Sequence, residues 1–419
     1  MRLSQIIFLI VFLSIILSVD IYLNKWIKSL KIKYEKAIKY FLLIFFKILP
    51  ALFISSFLLI PLIYAYVPAE EYMVYFHSIT GTFFLVYLPK IALIFFIAFE
   101  MLVVYLIRIF NSLVRKKSTD LENIKKKLSF INKFGFLFAT FFFFLIAYGI
   151  HCGKFDFIVR EVEIKSDKIP ESFEDFKIAH ITDFHLGGFL GNEEQVDKIV
   201  ELINSQNADL IVFTGDFVNN VSEEADKFIE PLKKLKAKMG VYSILGNHDY
   251  GDYIKWKSPE EKKENLRRLI NQQESIGMDL LLNETVSIVV NSDTINIIGV
   301  ENWGKPPFPQ YGDLQKALEN VDQKKFDILL SHDPTHWEAE VLGATEIDLT
   351  LSGHTHGAQF GLEVDNIRWS PVSLRYDQWG GLYEKNDQKL YVSTGIGFIG
   401  FPGRIGMPPE VVVYKLTRK

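Results

Sequence analysis

Four runs of apolar residues, roughly Leu3 to Leu23, Tyr40 to Tyr66, Ile79 to Ile107 and Phe134 to Ile150, fill the first third of the chain. Each is long enough to cross a bilayer, which takes about 20 residues at 1.5 Å rise. In lipid every backbone polar group must be satisfied within the segment, so these runs are read as an all-α bundle of four transmembrane helices. The connection between the first two carries Lys25, Lys28, Lys31, Lys33, Lys36 and Lys39. That between the last two carries Arg108, Arg115, Lys116, Lys117, Lys125, Lys126, Lys127 and Lys133, and the middle connection, "VPAEEY", has no Lys or Arg. The positive-inside rule places both Lys-rich connections in the cytoplasm, and the amino terminus, "VPAEEY" and everything after Ile150 on the far side. A cleaved signal peptide over the first run is the competing reading, but the run lacks a small-x-small site, and cleavage would leave six lysines on the outer face.

Polar groups inside such spans need partners. Lys47 and Glu100 both fall about 10 Å deep from the cytoplasmic side. Either they pair, or Lys47 snorkels while Glu100 is neutral or faces a crevice. Asp20 and Lys90 are two further helix-interior polar groups. Together these are too few to suggest a transporter.

The spans stop near residue 153, and the composition changes there. Residues 1–153 hold 17 basic and 7 acidic residues, whereas 154–419 hold 29 and 43. A membrane domain over 1–153 and an acidic domain over 154–419 follow. The acidic part lacks the basic footprint of a general nucleic-acid binder, so no nucleic-acid partner is expected. Cys152 is the only cysteine, so any metal site must be built from His, Asp, Asn and Glu.

Beyond Lys154, short β-branched runs alternate with amphipathic ones. The strand candidates are "FKIAHIT", "DLIVFTG", "GVYSILG", "INIIGVE", "FDILLSH", "IDLTLSG", "KLYVSTG" and "EVVVYKL". The helix candidates run near Glu193 to Ser205, Glu223 to Leu235, Pro259 to Ser275 and Asp313 to Asn320. Strands that are apolar throughout imply sheets covered on both faces, an α/β architecture.

Five strands end in metal-capable residues: "TDFH" (Asp183, His185), "TGDF" (Asp216), "LGNHD" (Asn247, His248, Asp249), "LSHDP" (His332) and "SGHTHG" (His354, His356). Five of the seven histidines beyond residue 153 lie in these motifs. Open α/β sheets build their sites beyond the carboxyl ends of strands. Turns do not require histidine, so capping and turn chemistry does not account for the set. Two divalent ions sharing a carboxylate can activate a water and neutralise a phosphoryl group during in-line displacement. A sulfur-free N/O donor set suits Mn, Fe, Zn, Co or Ni better than Ca or Mg.

The ordered series "DFH", "GD", "GNHD", "SH" and "GHTH" resembles the calcineurin-like metallophosphoesterase superfamily over about Phe176 to Leu416. The tail "YVSTGIGFIGFPGRIGMPPE" resembles its bacterial membrane-associated branch. The resemblance implies a four-layer αββα sandwich with a dinuclear site, in a protein of a bacterial inner or plasma membrane. It further implies one metal held by Asp183, His185, Asp216 and His356, and a second held by Asp216 as bridge with Asn247, His332 and His354. His248 would contact phosphate and protonate the leaving oxygen. Protein phosphatases of the superfamily carry "GDxVDRG", whose second Asp supports that histidine. Here the stretch is "GDFVNN", with Asn219 at that place, which speaks against a protein phosphatase. Whether Asp249 or Asn219 supports His248 is open at this level. The common "GHTHGGQ" is here "GHTHGAQ", so Ala358 limits backbone freedom at the site edge.

His180 and His336 read as structural histidines. Arg404 reads equally as a phosphate ligand or as a loop pin, and Trp256, Trp303, Trp369 and Trp379 read as packing before pocket. The segment "YGDYIKWKSPEEKKENLRRL" reads as a solvated helix leading from the site, a candidate substrate-side flap. The expected function is a membrane-anchored phosphodiesterase or pyrophosphatase acting by metal-activated hydroxide on a lipid-linked or envelope phosphoester, with membrane lipids as its surroundings. Two alternatives stand beside it. A pyrophosphohydrolase of the UDP-diacylglucosamine type is disfavoured because its nucleotide substrate is cytoplasmic. A non-catalytic sensor or scaffold is disfavoured by the intact ligand set. No feature of the sequence fixes the oligomeric state.

Overall fold

The computed structural model describes residues 3–29, 40, 44–115, 120–306, 308–319, 321–322, 324–364 and 367–419. Lys31, Lys33, Lys36 and Lys39 of the first Lys-rich connection, Lys116 and Lys117 of the second, and Asn320 lie outside the described residues. The chain divides into two units, Met1–Tyr66 with Ser78–Gly149, and Val67–His77 with Ile150–Lys419.

The first unit is helical. The expected spans appear as Leu3–Ser29, as a series broken at Leu59 (Leu49–Leu58 and Ile60–Tyr66, entered through a π turn at Ile44–Ile48), as Tyr72–Phe110 and as Leu121–His151. Tyr72–Phe110 and its flanks (Ala69–Val114) and Leu121–Phe155 are each long and apolar enough to cross a bilayer. Inside the unit, the Asp20 carboxylate accepts hydrogen bonds from Lys90 Nζ (2.7 Å) and Tyr87 Oη (3.0 Å), so the two interior polar groups marked in separate spans satisfy each other. Lys47 and Glu100 do not pair in this way. Glu100 Oε2 accepts from Asn132 Nδ2 at 2.5 Å, and Lys47 is exposed. An amide one helix away meets the carboxylate, and the lysine stem is long enough to carry its charge outward.

The second unit is a two-sheet sandwich. Its strands are β1 (Ile158–Ser166), β2 (Lys177–Ile181), β3 (Leu210–Phe213), β4 (Val241–Ser243), β5 (Met278–Leu280), β6 (Glu284–Val290), β7 (Asp293–Gly299), β8 (Phe326–Leu330), β9 (Leu349–Ser352), β10 (Leu362–Val364), β11 (Ile367–Trp369), β12 (Gly381–Lys385), β13 (Gln388–Val392) and β14 (Glu410–Arg418). One sheet has the order β1-β14-β2-β3-β4-β5, the other β12-β13-β9-β8-β7-β6, and β10 and β11 form a separate hairpin. β2 to β5 are parallel, as are β7, β8, β9 and β13.

Three apolar layers hold the sandwich together. Between the sheets lie Ile178, Leu210, Val212 and Ile244 from the first, against Ile295, Ile297, Ile328, Leu330 and Leu351 from the second. On the outer face of the first sheet, the helix Glu194–Ser205 presents Val196, Ile199, Val200 and Ile203, the spacing of a one-sided helix. The helix Pro259–Ile276 packs there through Leu269 and Ile276; Ser258 Oγ caps its first turn, and Gly277 ends it at φ 93°. The outer face of the second sheet is covered by the turns Leu314–Ala317 and Trp337–Val341. This is the expected αββα order.

All eight expected strands form. The expected helix Glu223 to Leu235 instead appears as a 3-10 segment, Ser222–Phe228, followed by one α turn, Ile229–Leu232. Pro231, which has no N–H to donate, does not support a longer ladder. Six strands have no counterpart among the expectations. β1 is the clearest case, because its charged residues, Arg160, Glu161, Glu163 and Lys165, mask a strand that pairs in parallel with β14 along its whole length.

Candidate metal centre

The residues singled out at strand ends converge above the carboxyl ends of β2, β3, β4, β8 and β9, where the two sheets meet. Main-chain bonds join the loops: Asp183 N donates to Gly215 O (2.9 Å) and His185 N to Asp216 O (3.1 Å). Gly215 has φ 93°, and a Cβ there would run into the backbone of Gly246. Only glycine permits that approach, which brings Asp216 against Asn247 and His248. Asp183, His185, Asp216, His354 and His356 all hold positive φ, between 47° and 73°. Such backbone costs energy for a side-chain-bearing residue and clusters where function demands a fixed geometry.

Two groups of donor atoms result, Asp183 with His185 and His356, and Asp216 with His332 and His354, each within 4.8 Å. In the first, His185 Nε2 and His356 Nε2 stand 3.1 Å apart, and His356 Nε2 is 3.3 Å from Asp183 Oδ1. In the second, His332 Nε2 is 3.1 Å from Asp216 Oδ2, 3.2 Å from Asn247 Oδ1 and 3.3 Å from His354 Nδ1. Asp216 Oδ2 also lies 3.5 Å from His185 Nε2, so one oxygen faces both groups. Donors bound about 2.1 Å from a common cation stand roughly 3.0–3.4 Å apart, so the spacing fits bound metal.

The charges agree with the spacing. Burial lowers His185 to about 3 and His354 to about 4, and drives His356 well below the usual imidazole range. All three are therefore neutral at neutral pH, as ligands must be. Burial also works against charge on His332, but the Asp216 carboxylate outweighs it and raises the imidazole to about 10. The buried carboxylates thus draw positive charge to the centre, a demand that divalent cations meet. His332 Nδ1–H donates to Thr214 O (2.8 Å), which fixes the ring with Nε2 toward the cluster.

His248 lies beside the donors. Its main-chain N–H donates to Asp216 Oδ1 (2.8 Å), and its Nδ1–H donates to the main-chain carbonyl of Asn219 (2.6 Å). The support comes from the Asn219 backbone. Asp249 instead ties the loops together, its carboxylate accepting from the main-chain N–H of Asp216, Phe217, Val218 and Gly246. Arg404 is buried and donates to the carbonyls of Thr394, Gly395, Gly397 and Met407, which makes it a loop pin, and its Nη2 also reaches His356 Nδ1 at 3.4 Å. His180 (with Tyr414 and Thr214) and His336 (with Ser331 and Glu340) are structural. Trp256 donates to Gly251 O and Trp303 stacks on His336, both as packing.

Four further residues, outside the expected donor set, border the centre. Tyr376 Oη lies 3.0 Å from His354 Nε2, Asp333 Oδ2 is 3.6 Å from the same atom, and Phe308 meets the His354 ring edge-on at 4.8 Å. Tyr253 Oη accepts from Asn247 Nδ2 (2.7 Å), and its ring stands 4.5 Å from His248. Asp333 directly follows His332 in "SHDP" and Tyr253 closes "NHDYGDY", so the motifs themselves carry a signal for both. Tyr376 and Phe308 belong to loops with no motif.

The sandwich, the strand-end donors and the adjoining histidine define a metal-dependent hydrolase. Residues 176–358 match the family model of the calcineurin-like phosphoesterases, and residues 2–154 match that of a probable calcineurin-like phosphoesterase transmembrane domain. A metallophosphoesterase of Helicobacter pylori strain J99 is 31% identical over 68% of this chain and 71% of its own length. YkuE, a metallophosphoesterase of Bacillus subtilis, is 32% identical over 61% of this chain and 84% of its own. A Danio rerio transmembrane protein with metallophosphoesterase domain is 29% identical over 60% and 56%. The chain belongs to the calcineurin-like metallophosphoesterases and carries their transmembrane domain at its amino-terminal end.

Proposed function

We propose that this phosphoesterase uses two divalent cations to hydrolyse a phosphodiester or pyrophosphate carried by a lipid or envelope polymer, at an extracytoplasmic bilayer surface. The observation that carries the two-cation reading is Asp216 Oδ2, the one oxygen facing both donor groups. Asp183, His185 and His356 would hold one cation and Asn247, His332 and His354 the other, with Asp216 between them. The donor chemistry favours Mn, Fe, Zn, Co or Ni. When bound, the pair supplies an activated water and neutralises phosphoryl charge.

The chain's own residues do the rest. Asp216 Oδ1 fixes the main chain of His248 relative to the bridge. The Asn219 carbonyl holds Nδ1, which leaves Nε2 as the atom that delivers a proton to the leaving oxygen. The neutral imidazoles of His185, His354 and His356 and the Asp216 carboxylate, held below the usual range against its burial by the His332 charge, bind cations without first having to lose protons, whereas His332 must lose one.

Support for an amphiphilic substrate comes from the tether, which confines enzyme and headgroup to one thin layer and raises their effective concentration. Support for the side comes from the Lys-rich connections. The connection Val67–His77 belongs to the same unit as the catalytic residues, with Met73 Sδ accepting from Asn220 Nδ2 (3.5 Å), in keeping with a shared side. Purified full chain, assayed on a soluble aryl phosphodiester with Mn and again after chelation, tests the chemistry. Metal-dependent turnover abolished by His248→Ala supports it, and no turnover with any of the five metals refutes it. Reporter fusions after Ile150 test the side, and cytoplasmic activity there would reverse it.

A further inference from the structure

We infer that the hairpin of β10 and β11 is a bilayer-docking element, which enters the lipid interface through Leu362, Val364 and Trp369, with Leu374 exposed at the end of the turn Pro371–Leu374 that follows. The hairpin is amphipathic in the sense opposite to that of a sheet in water. In its antiparallel register Leu362 faces Trp369 and Glu363 faces Arg368. Strand alternation therefore collects the apolar residues on one face and the charged pair on the other. The charged face is turned toward the protein. The Glu363 carboxylate accepts from both Nη atoms of Arg160 (2.6 and 3.1 Å), and the Arg368 guanidinium lies over the Trp379 ring at 5.1 Å.

The apolar face is left open: Leu362 is 53% exposed, Val364 51%, Trp369 49% and Leu374 88%. A water-facing antiparallel sheet normally shows its polar face. Contiguous exposed apolar residues of this kind mark a surface that meets an apolar partner.

The bilayer is the occupant that the chain's own connectivity favours. Gly149 is the last residue of the membrane unit, and Arg160, which clamps Glu363, follows eleven residues later. Even fully extended, that length of chain spans roughly 36 Å, and the 3-10 turn Gly153–Phe155 shortens it. The connection is thus short enough to let the hairpin reach the lipid surface. Tryptophan is enriched at membrane interfaces, and Arg375, exposed beside Leu374, offers a cation to anionic headgroups. The inference rests on the membrane-anchored reading above and is independent of the metal centre.

The test uses the full chain in nanodiscs of phosphatidylcholine and phosphatidylglycerol, with Cys152→Ser and Val364→Cys carrying an environment-sensitive fluorophore. Docking predicts blue-shifted emission, several-fold quenching by lipids bearing a nitroxide on the acyl chain, and less quenching by aqueous iodide than at a control label on Glu230→Cys. A label open to iodide and untouched by the nitroxide lipids overturns the inference. So does quenching that appears only when a second labelled copy shares the disc. Turnover of a soluble aryl phosphodiester in the same discs reports separately on the proposed function. Val364→Asp with Trp369→Asp should abolish the nitroxide quenching of a label at Leu362→Cys while leaving that turnover unchanged, and persistence of the quenching counts against the hairpin as its cause.

Discussion

The main-chain N–H of His248 donates to Asp216 Oδ1 at 2.8 Å, while Oδ2 of the same carboxylate stands between His185 and His332. One side chain therefore sets the distance from the proposed acid to the proposed bridge. Removing the imidazole leaves that main-chain bond in place. His248→Ala should lower kcat by about 10²–10⁴-fold with metal content unchanged, as steady-state kinetics and elemental analysis of one preparation would record. Asn219→Ala, which keeps the supporting carbonyl, should leave kcat within a few-fold of the parent.

Glu224 provides a pH signature away from the donors. It is fully buried, its Oε2 accepts from Asn219 N at 2.6 Å, and burial raises its carboxyl to about 8 from an ordinary 4.5. The folded state then keeps a proton that the unfolded state has released, so this group's contribution to stability is complete below about pH 4.5 and is lost as the pH rises toward about 8. Glu224→Gln removes the titration. Its melting temperature should exceed that of the parent above about pH 8, with the gap closing toward about pH 4.5, in thermal unfolding of the detergent-solubilised chain.

The Asp20–Lys90 pair, with Lys90 1% exposed, is a buried charged link within the helical unit. Breaking a buried pair on one side strands the other charge, at a cost of about 3–5 kcal/mol. Asp20→Asn and Lys90→Met should each destabilise the chain in thermal unfolding, and the double variant should be less destabilised than either single one.

Ala358 holds φ 50° and ψ 15°, left-handed backbone that a Cβ disfavours by about 1 kcal/mol. Ala358→Gly should stabilise the protein by about that amount in denaturant unfolding, with kcat unchanged.

Most of the centre could be read from the chain because metal chemistry confines each ligand to a few residue types, and strand ends put those residues in short strings such as "GNHD" and "GHTH". The support of His248 could not be read in the same way, because it comes from a main-chain carbonyl, which any residue supplies. Arg404 is ambiguous for a similar reason, since four of its partners are backbone oxygens and the fifth is the His356 ring. Tyr376 and Phe308 reach His354 only through loop packing, which leaves no local pattern. The hairpin "LEV" and "IRW" has ordinary strand alternation, and only the folded chain shows that its charged face is turned inward. β1 is hidden by its charges, and the helix expected over Glu223 to Leu235 is interrupted where Pro231 has no N–H to bond back to the preceding turn, which leaves a 3-10 segment and one α turn.

Anomalous diffraction from crystals grown with Mn tests the bridging role of Asp216 most directly. The account predicts two peaks about 3.5–4 Å apart, flanking Asp216 Oδ2 and both lost in Asp216→Ala. A single peak, or two peaks that share no contact with Asp216, would contradict it.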